Sequence, residues 1–230
     1  AMTKLKILLL YIRPVARNAQ TIFDHALSLR RYSRHDVTTV SLTHPFGGLP
    51  ALLDLAQFDV IVIHYTIVAM MDTYLNPRAR DTIARFDGLK MQFIQDEYRF
   101  INDTIDASRR LGVDVLFTCV PEAEVEKVYS RTALPHVRKV SVLTGYVPED
   151  LTRFAVPPIE ARPVDVGYRA RKLPYWLGAL GLEKWRVAEG FLSSTQGSGL
   201  ICDISSDEKS RLYGRKWTRF LTSCKALLGV

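Results

Sequence analysis

The chain has no long apolar stretch, little cysteine and no block of like charge. No run approaches the roughly 18–20 residues that span a bilayer. The apolar segment 5–12 is too short, and no small-residue cleavage site follows it, so it reads as a first strand rather than a leader. Only three cysteines occur, Cys119, Cys202 and Cys224. An odd number so far apart gives no disulfide framework and no zinc spacing, and it fits a reducing, cytoplasmic setting. The glycine pattern G-x-G-x-x-G, the P-loop, the HExxH zinc motif and the G-x-S-x-G elbow are all missing. The first absence weighs against NAD or FAD, and no cofactor is expected.

Basic residues exceed acidic ones, for a net charge of +7. They fall in small groups: Arg30-Arg31, Arg109-Arg110, Arg169 to Lys172 and Lys209 to Lys216. That balance suits a phosphorylated small molecule, a polyanion or an anionic membrane surface, or simply a solvated basic exterior. No recognised nucleic-acid-binding motif accompanies the charge, so nucleic acid is not an expected partner.

What the sequence has instead is alternation. Apolar runs at 5–10, 60–63, 91–94 and 113–117 each end in a small polar cluster, and helical patterns separate them. Strand-then-helix repetition is the signature of an α/β, doubly wound parallel sheet with right-handed crossovers. The runs at 6–10 and 60–63 are expected to be inner, parallel strands, the second being apolar throughout. The pattern predicts strands over 4–11, 36–42, 58–64, 89–95, 113–119 and 137–143. Helices are predicted over 19–32 (capped by Asn18), 50–55, 77–86, 100–111 (stopped by Gly112) and 122–129.

Residues 150–163 interrupt this order. Pro157, Pro158 and Pro163 set extended backbone and prevent a helix. They read as a linker at 151–163 between an N-terminal unit, 1–150, and a second α/β unit, 164–230. In the second unit strands are expected at 164–168 and 200–204, helices at 174–191 and 213–223, and a buried strand at 226–230. A chain that stops on an apolar run reads as one cut within its second domain.

In parallel sheets the carboxyl ends of the strands open onto the ligand crevice, so the polar clusters there are the candidates. Gln95-Asp96-Glu97-Tyr98 carries two adjacent carboxylates. Asp96 and Glu97 suit general-base work or hydrogen bonds to sugar hydroxyls, while a helix cap or an ion pair with Arg99 would use the same groups structurally. His64 offers an imidazole base beside Tyr65; the alternative is a histidine packed at the core edge. Arg13 and Arg17, before the first helix, could meet an anion at its N-terminus, or form a solvated loop. Tyr65 and Tyr98 complete the candidate substrate-binding set. Cys119, at a strand end, reads as a small buried hydrophobe. In the second unit, Arg169, Arg171 and Lys172 follow a strand, and Lys184 lies on the next helix. Guanidinium forks suit diphosphate; surface charge is the alternative.

The stretch Val164-Asp165-Val166-Gly167-Tyr168-Arg169-Ala170-Arg171, followed by Glu183-Lys184, together with the two-unit pattern, resembles GT-B glycosyltransferases. The likeness is greatest to the retaining family that includes glycogen and sucrose-phosphate synthases. The resemblance implies an acceptor-side first domain and a donor-side second one. It also implies transfer of a hexose from a nucleotide sugar to a glycan or lipid-linked acceptor, on a cytoplasmic or membrane-peripheral protein. Arg169 or Arg171, and Lys184, would contact the donor diphosphate. The 95–97 turn lies where that family often has a His-Asp pair, and Gln95 stands in place of the His. The glycine-rich first loop is replaced by residues 13–17. The family's Glu-x7-Glu motif has no counterpart in the second unit, and its expected position is past Val230. A non-catalytic nucleotide- or sugar-binding module is the competing expectation, and a basic nucleic-acid-associated domain a third.

Overall fold

The computed structural model describes residues 3–13, 20–43, 45–143 and 145–229. Arg17 and the cap expected from Asn18 lie outside them. The chain divides into two compact units, which meet in sequence at Pro148 and Glu149.

The first unit is a six-stranded sheet in the order β2-β1-β3-β4-β5-β6. Its strands are β1 (Lys6–Tyr11), β2 (Asp36–Ser41), β3 (Val60–Ile63), β4 (Leu89–Phe93), β5 (Val115–Thr118) and β6 (Arg138–Ser141). Every pairing is parallel. The runs expected inside are the inner neighbours β1 and β3, registered from Ile7 opposite Val60 to Leu10 opposite Ile63. All four residues of β3 are buried because both faces of the strand are covered.

Alternate side chains divide the core. Ile7, Leu9, Val60 and Val62 pack with Ala26 of α1 (Gln20–Tyr32). Leu8, Leu10, Ile61 and Ile63 pack on the opposite face with Ile83 of α2 (Pro77–Ala84), and with Ala107 and Leu111 of α3 (Ile101–Leu111). The direction of the crossovers accounts for this split. The chain steps one way from β1 to β2, and the other way from β3 through β6. The amino ends of the strands are clamped by carboxylates: Asp59 accepts from the Lys6 N–H at 2.7 Å, and Asp114 from the Lys90 N–H at 2.8 Å.

Several local expectations are corrected. The helix expected at 50–55 is a 3-10 turn at Leu55–Gln57, with the Asp54 carboxylate accepting from the Ala56 N–H. The helix expected at 122–129 is a 3-10 turn followed by one α turn, α4 (Val125–Val128). The helix stops where Tyr129, at ψ 67°, leaves helical geometry and its hydroxyl donates to Glu97. Gly112 closes α3 in the left-handed conformation, as its lack of a Cβ permits. Within 150–163 the chain forms two 3-10 turns, Glu149–Arg153 and Ile159–Ala161.

The second unit has three parallel strands in the order β8-β7-β9: β7 (Val164–Arg169), β8 (Cys202–Ser205) and β9 (Cys224–Leu227). Two helices connect them, α5 (Gly178–Ser194) and α6 (Arg215–Ser223). β9 begins earlier than the sequence pattern implies. Only its first residue, Cys224, is buried, so the final apolar run is mostly an exposed edge.

Candidate functional site

At the carboxyl end of β3 the chain turns through His64, Tyr65 and Thr66. His64 is 1% exposed. Its Nδ1 accepts from the Thr66 N–H at 3.2 Å and lies 3.0 Å from Thr66 Oγ1. That hydroxyl oxygen accepts from the Ile12 N–H at 3.0 Å; because Nδ1 already accepts from the Thr66 N–H, the hydroxyl can meet it only as a donor. Nδ1 is therefore an acceptor, and the His64 proton sits on Nε2. Nε2 lies 2.9 Å from Nδ1 of His25 on α1 and donates to it. Burial, and next the neighbouring His25, push the His64 pKa down to about 3. Burial also lowers that of His25. Both rings are thus neutral at neutral pH.

The Tyr65 ring packs tilted against His64, with ring centroids 4.0 Å apart. Burial, reinforced by Cys119, pushes its hydroxyl up to about 12 and keeps it protonated. His64 reaches no solvent, so the direct base role expected of it is corrected. It can act only through His25, the half-buried partner that the pattern reading passed over. The signal was present: His25 lies three residues after Ile22 and four before Leu29, on the helix face turned to the sheet.

The loop after β4 separates its two carboxylates. Asp96 is exposed and adopts φ +63°, a left-handed conformation that Asp tolerates better than most residues. Glu97 turns inward. Its Oε1 accepts from the hydroxyls of Thr118 and of Tyr129, the latter at 2.7 Å. Its Oε2 accepts from the Cys119 N–H at 2.8 Å. One carboxylate thus ties the loop to the end of β5 and to the residue after α4. Burial, then the bond to Glu97, raises the Tyr129 pKa, so this phenol remains a donor. With both oxygens engaged, Glu97 is an anchor rather than a free base.

Neither carboxylate caps α3. That position is held by Phe100 at φ +54°, without a side-chain cap. The Arg99 guanidinium lies over the rings of Tyr98 and Phe100, and both rings are exposed. Arg13 is exposed after β1, with its N–H donating to Ser41 Oγ at 3.1 Å. The strand ends thus bring His64, Tyr65, Glu97 and Cys119 together, and leave Arg13, Asp96 and Tyr98 turned to solvent. Among the described residues no group of three or more His, Cys, Asp or Glu side chains could hold a metal ion.

In the second unit the basic residues after β7 part company. Arg169 donates to the carbonyls of Tyr168 and Asp203 at 2.9 and 2.7 Å, and to the Asp203 carboxylate at 2.6 Å. Its guanidinium also covers the Phe220 ring at 4.4 Å. The fork expected to meet a diphosphate is therefore committed inside the unit. Alternation explains this, since Arg169 is two residues past Gly167 and shares the face turned to α6. Arg171 and Lys184 are exposed. Lys172 is drawn over the Trp185 ring at 4.0 Å.

Among solved structures the chain is similar to one glycosyltransferase. It is an alpha-glucosyltransferase in complex with UDP-glucose and DNA containing an abasic site, 13% identical, with a TM-score of 0.50. The two share a fold. The match covers 90% of this chain and 59% of that one, so the chain spans under two thirds of the length of the enzyme it matches. No protein-family description matches the sequence, and no curated protein does. The parallel sheets with flanking helices are a Rossmann-like α/β arrangement, as the alternation of the sequence implies. The comparison gives no support for setting nucleic acid aside as a partner. No helix among the described residues is long and apolar enough to cross a membrane.

Proposed function

We propose that this chain carries out, or forms part of, glycosyl transfer from a nucleotide sugar, in the manner of a GT-B hexosyltransferase. The observation that carries this reading is the fold shared over 90% of the chain with an enzyme bound to UDP-glucose. On this reading the second unit meets the donor. Arg171 and Lys184, both exposed near the start of α5, supply cationic charge to the leaving diphosphate, and the first-turn N–H groups of α5 add to it. Arg169 supports that end of β7 from within.

The first unit meets the acceptor at its strand ends. Asp96 is the carboxylate available to an incoming hydroxyl, and Glu97 holds the loop that carries it. Tyr98 and Arg13 line the approach, and Tyr65 presents a protonated hydroxyl. The acceptor is a glycan or lipid-linked sugar, which is compatible with peripheral contact at a membrane in the cytoplasm. A second reading takes nucleic acid as the acceptor. The net charge of +7 and the DNA bound by the neighbour favour it.

The test is calorimetry with UDP-glucose and GDP-mannose, followed by transfer of labelled sugar to an oligosaccharide, a polyprenyl phosphate sugar and duplex DNA. Micromolar to millimolar donor binding is expected. Because a charge-assisted hydrogen bond contributes about 1.5–3 kcal/mol, Arg171→Ala should weaken it about ten- to a hundredfold. Binding without transfer to any acceptor would favour the non-catalytic module, and no binding to either nucleotide sugar would refute both readings.

A further inference from the structure

We propose that the turn at 173–177, together with the start of α5, is a membrane-docking surface that seats the second unit on a bilayer containing anionic lipid. It specifies the membrane contact that the transfer reading leaves open, and it holds whether or not sugar is transferred.

The local sequence builds the turn. Pro174 opens a 3-10 turn, Tyr175–Leu177, and Gly178 at φ +74° passes the chain into α5. Gly181 of α5 is buried beneath this turn. A Cβ there would stand 2.8 Å from Leu177 Cβ and 3.7 Å from Leu173 Cβ. The missing side chain therefore lets Leu173 and Leu177 settle half-buried on the helix, while Pro174, Tyr175 and Trp176 between them are exposed. Tyr175 is 76% exposed and Trp176 65%, and Leu180 in the first turn of α5 is 79% exposed. Apolar residues exposed singly are ordinary, but three large ones so close in sequence mark a contact.

Charge says what the contact is with. Between residues 170 and 182 there is no acidic residue, and Arg171 and Lys172 are exposed. Lys184 and Arg186 follow, also exposed, with only Glu183 against them. Glu183 acts inward, on the buried Tyr168. The Lys172 ammonium lies 4.0 Å from the centre of the Trp185 ring and 5.9 Å from that of Tyr175, so its charge sits among the rings. Tyr and Trp settle at the headgroup boundary, cations meet lipid phosphate there, and Leu180 reaches the acyl chains. A single-stranded nucleic acid could use the rings and cations, but it gains nothing from the exposed leucine. Gly181 and Ala188 stay buried within the unit, so α5 rests on the bilayer without entering it. Arg171 and Lys184 are the residues given to the donor, so the surface is tested through Trp176 and Lys172.

The full chain, without nucleotide sugar, is sedimented with vesicles of phosphatidylcholine alone or mixed with phosphatidylserine. Half-binding to the mixed vesicles is expected near about 1 mM accessible lipid, weaker than one myristoyl chain gives, and at least about tenfold weaker binding to phosphatidylcholine alone. Trp176→Ala should weaken binding about tenfold and Lys172→Gln about fivefold. Leu52→Ala, on the first unit and 98% exposed, should leave it unchanged. Lipids brominated in their acyl chains should quench the wild-type tryptophan fluorescence, and Trp176→Phe much less. Failure to sediment, equal binding to both vesicles, an unaffected Trp176→Ala, or retention on single-stranded DNA without vesicle binding would each overturn the proposal. Vesicle binding by a chain that takes up no nucleotide sugar would keep the docking surface and remove the transfer reading. Nucleotide-sugar binding by a chain that ignores vesicles would do the reverse.

Discussion

The two units place their strands alike and hold them differently. In β2-β1-β3 and in β8-β7-β9, the first strand in sequence lies between the next two, and the connections leave it on both sides. The first unit is secured by burial: β3 is wholly covered, and Leu8, Leu10, Ile61 and Ile63 have no exposed surface. The second is secured mainly by polar ties. Arg169 bonds Asp203, Lys225 bonds Asp165 at 2.7 Å, and Arg162 donates to the Cys224 carbonyl at 3.0 Å. Its strand β8 is half-buried along its length. A parallel sheet can therefore be kept by apolar layers or by a frame of charge around a small core. The two should fail under different insults.

The largest expected effect is Ile61→Ala. Deleting a side chain with no exposed surface from the centre of the first sheet should cost about 3–5 kcal/mol. Hydrogen exchange should locate the loss in β1, β3 and β4 and leave β7 and β8 near their wild-type protection. Equal loss in both units would remove the distinction between them.

Acid comes next. The His64 pKa is lower in the folded protein than in the unfolded chain, so the unfolded chain takes up more protons below pH 6.5, and stability falls as the pH drops from there toward about 3. Between pH 7.5 and 4.5 the cost to the first unit should be about 2–3 kcal/mol. In the second unit the comparable group is Asp165, whose pKa is lowered by the bond from Lys225 and then by the Ile201 N–H. Its contribution is intact above pH 3.8 and is lost only below it. Exchange profiles at pH 7 and pH 5 should therefore weaken the first unit and spare the second.

Gly167→Ala sharpens the contrast from the other side. A Cβ there would stand 2.4 Å from Cys224 Sγ and 2.8 Å from Phe220, so β9 and α6 must shift. A cost of about 1–3 kcal/mol is expected, read as lost protection in β7 and β9 alone. The smallest effect should be Asp36→Asn, which removes the exposed ion pair with Lys4 at 3.4 Å. Thermal unfolding should change by less than about 0.5 kcal/mol, because solvent and salt screen such pairs.

The sheet was legible in the sequence because continuous apolar runs such as 60–63 have no other use in a chain of this composition. The ends of elements were less so. Pro121 with Glu122 and Glu124 looks like a helix start, yet only four residues of α-helix follow, since Tyr129 is drawn away to Glu97. The candidate site shows the same limit. Asp96 and Glu97 are equivalent as letters. Which one turns inward is decided by a left-handed backbone at Asp96 and by donors 21 to 32 residues further along. Arg169 and Arg171, two apart, would share a face by strand alternation; they differ because β7 ends at Arg169 and leaves Arg171 beyond the sheet. His25 was likewise readable from helical spacing, but its partner His64 is 39 residues away, and no local pattern joins them.

That separation bears on how the protein is made. α1 leaves the ribosome before β3 does, and its apolar side rests on Val60 and Val62 as much as on Ile7 and Leu9. A ribosome adds about 5–20 residues each second, so the helix waits about 2–8 seconds, from the synthesis of His25 to that of His64, for the surface it will dock on. During that interval its apolar face is open to chaperones. A synonymous codon change that slows translation between residues 25 and 64 lengthens the exposure without altering one atom of the finished chain.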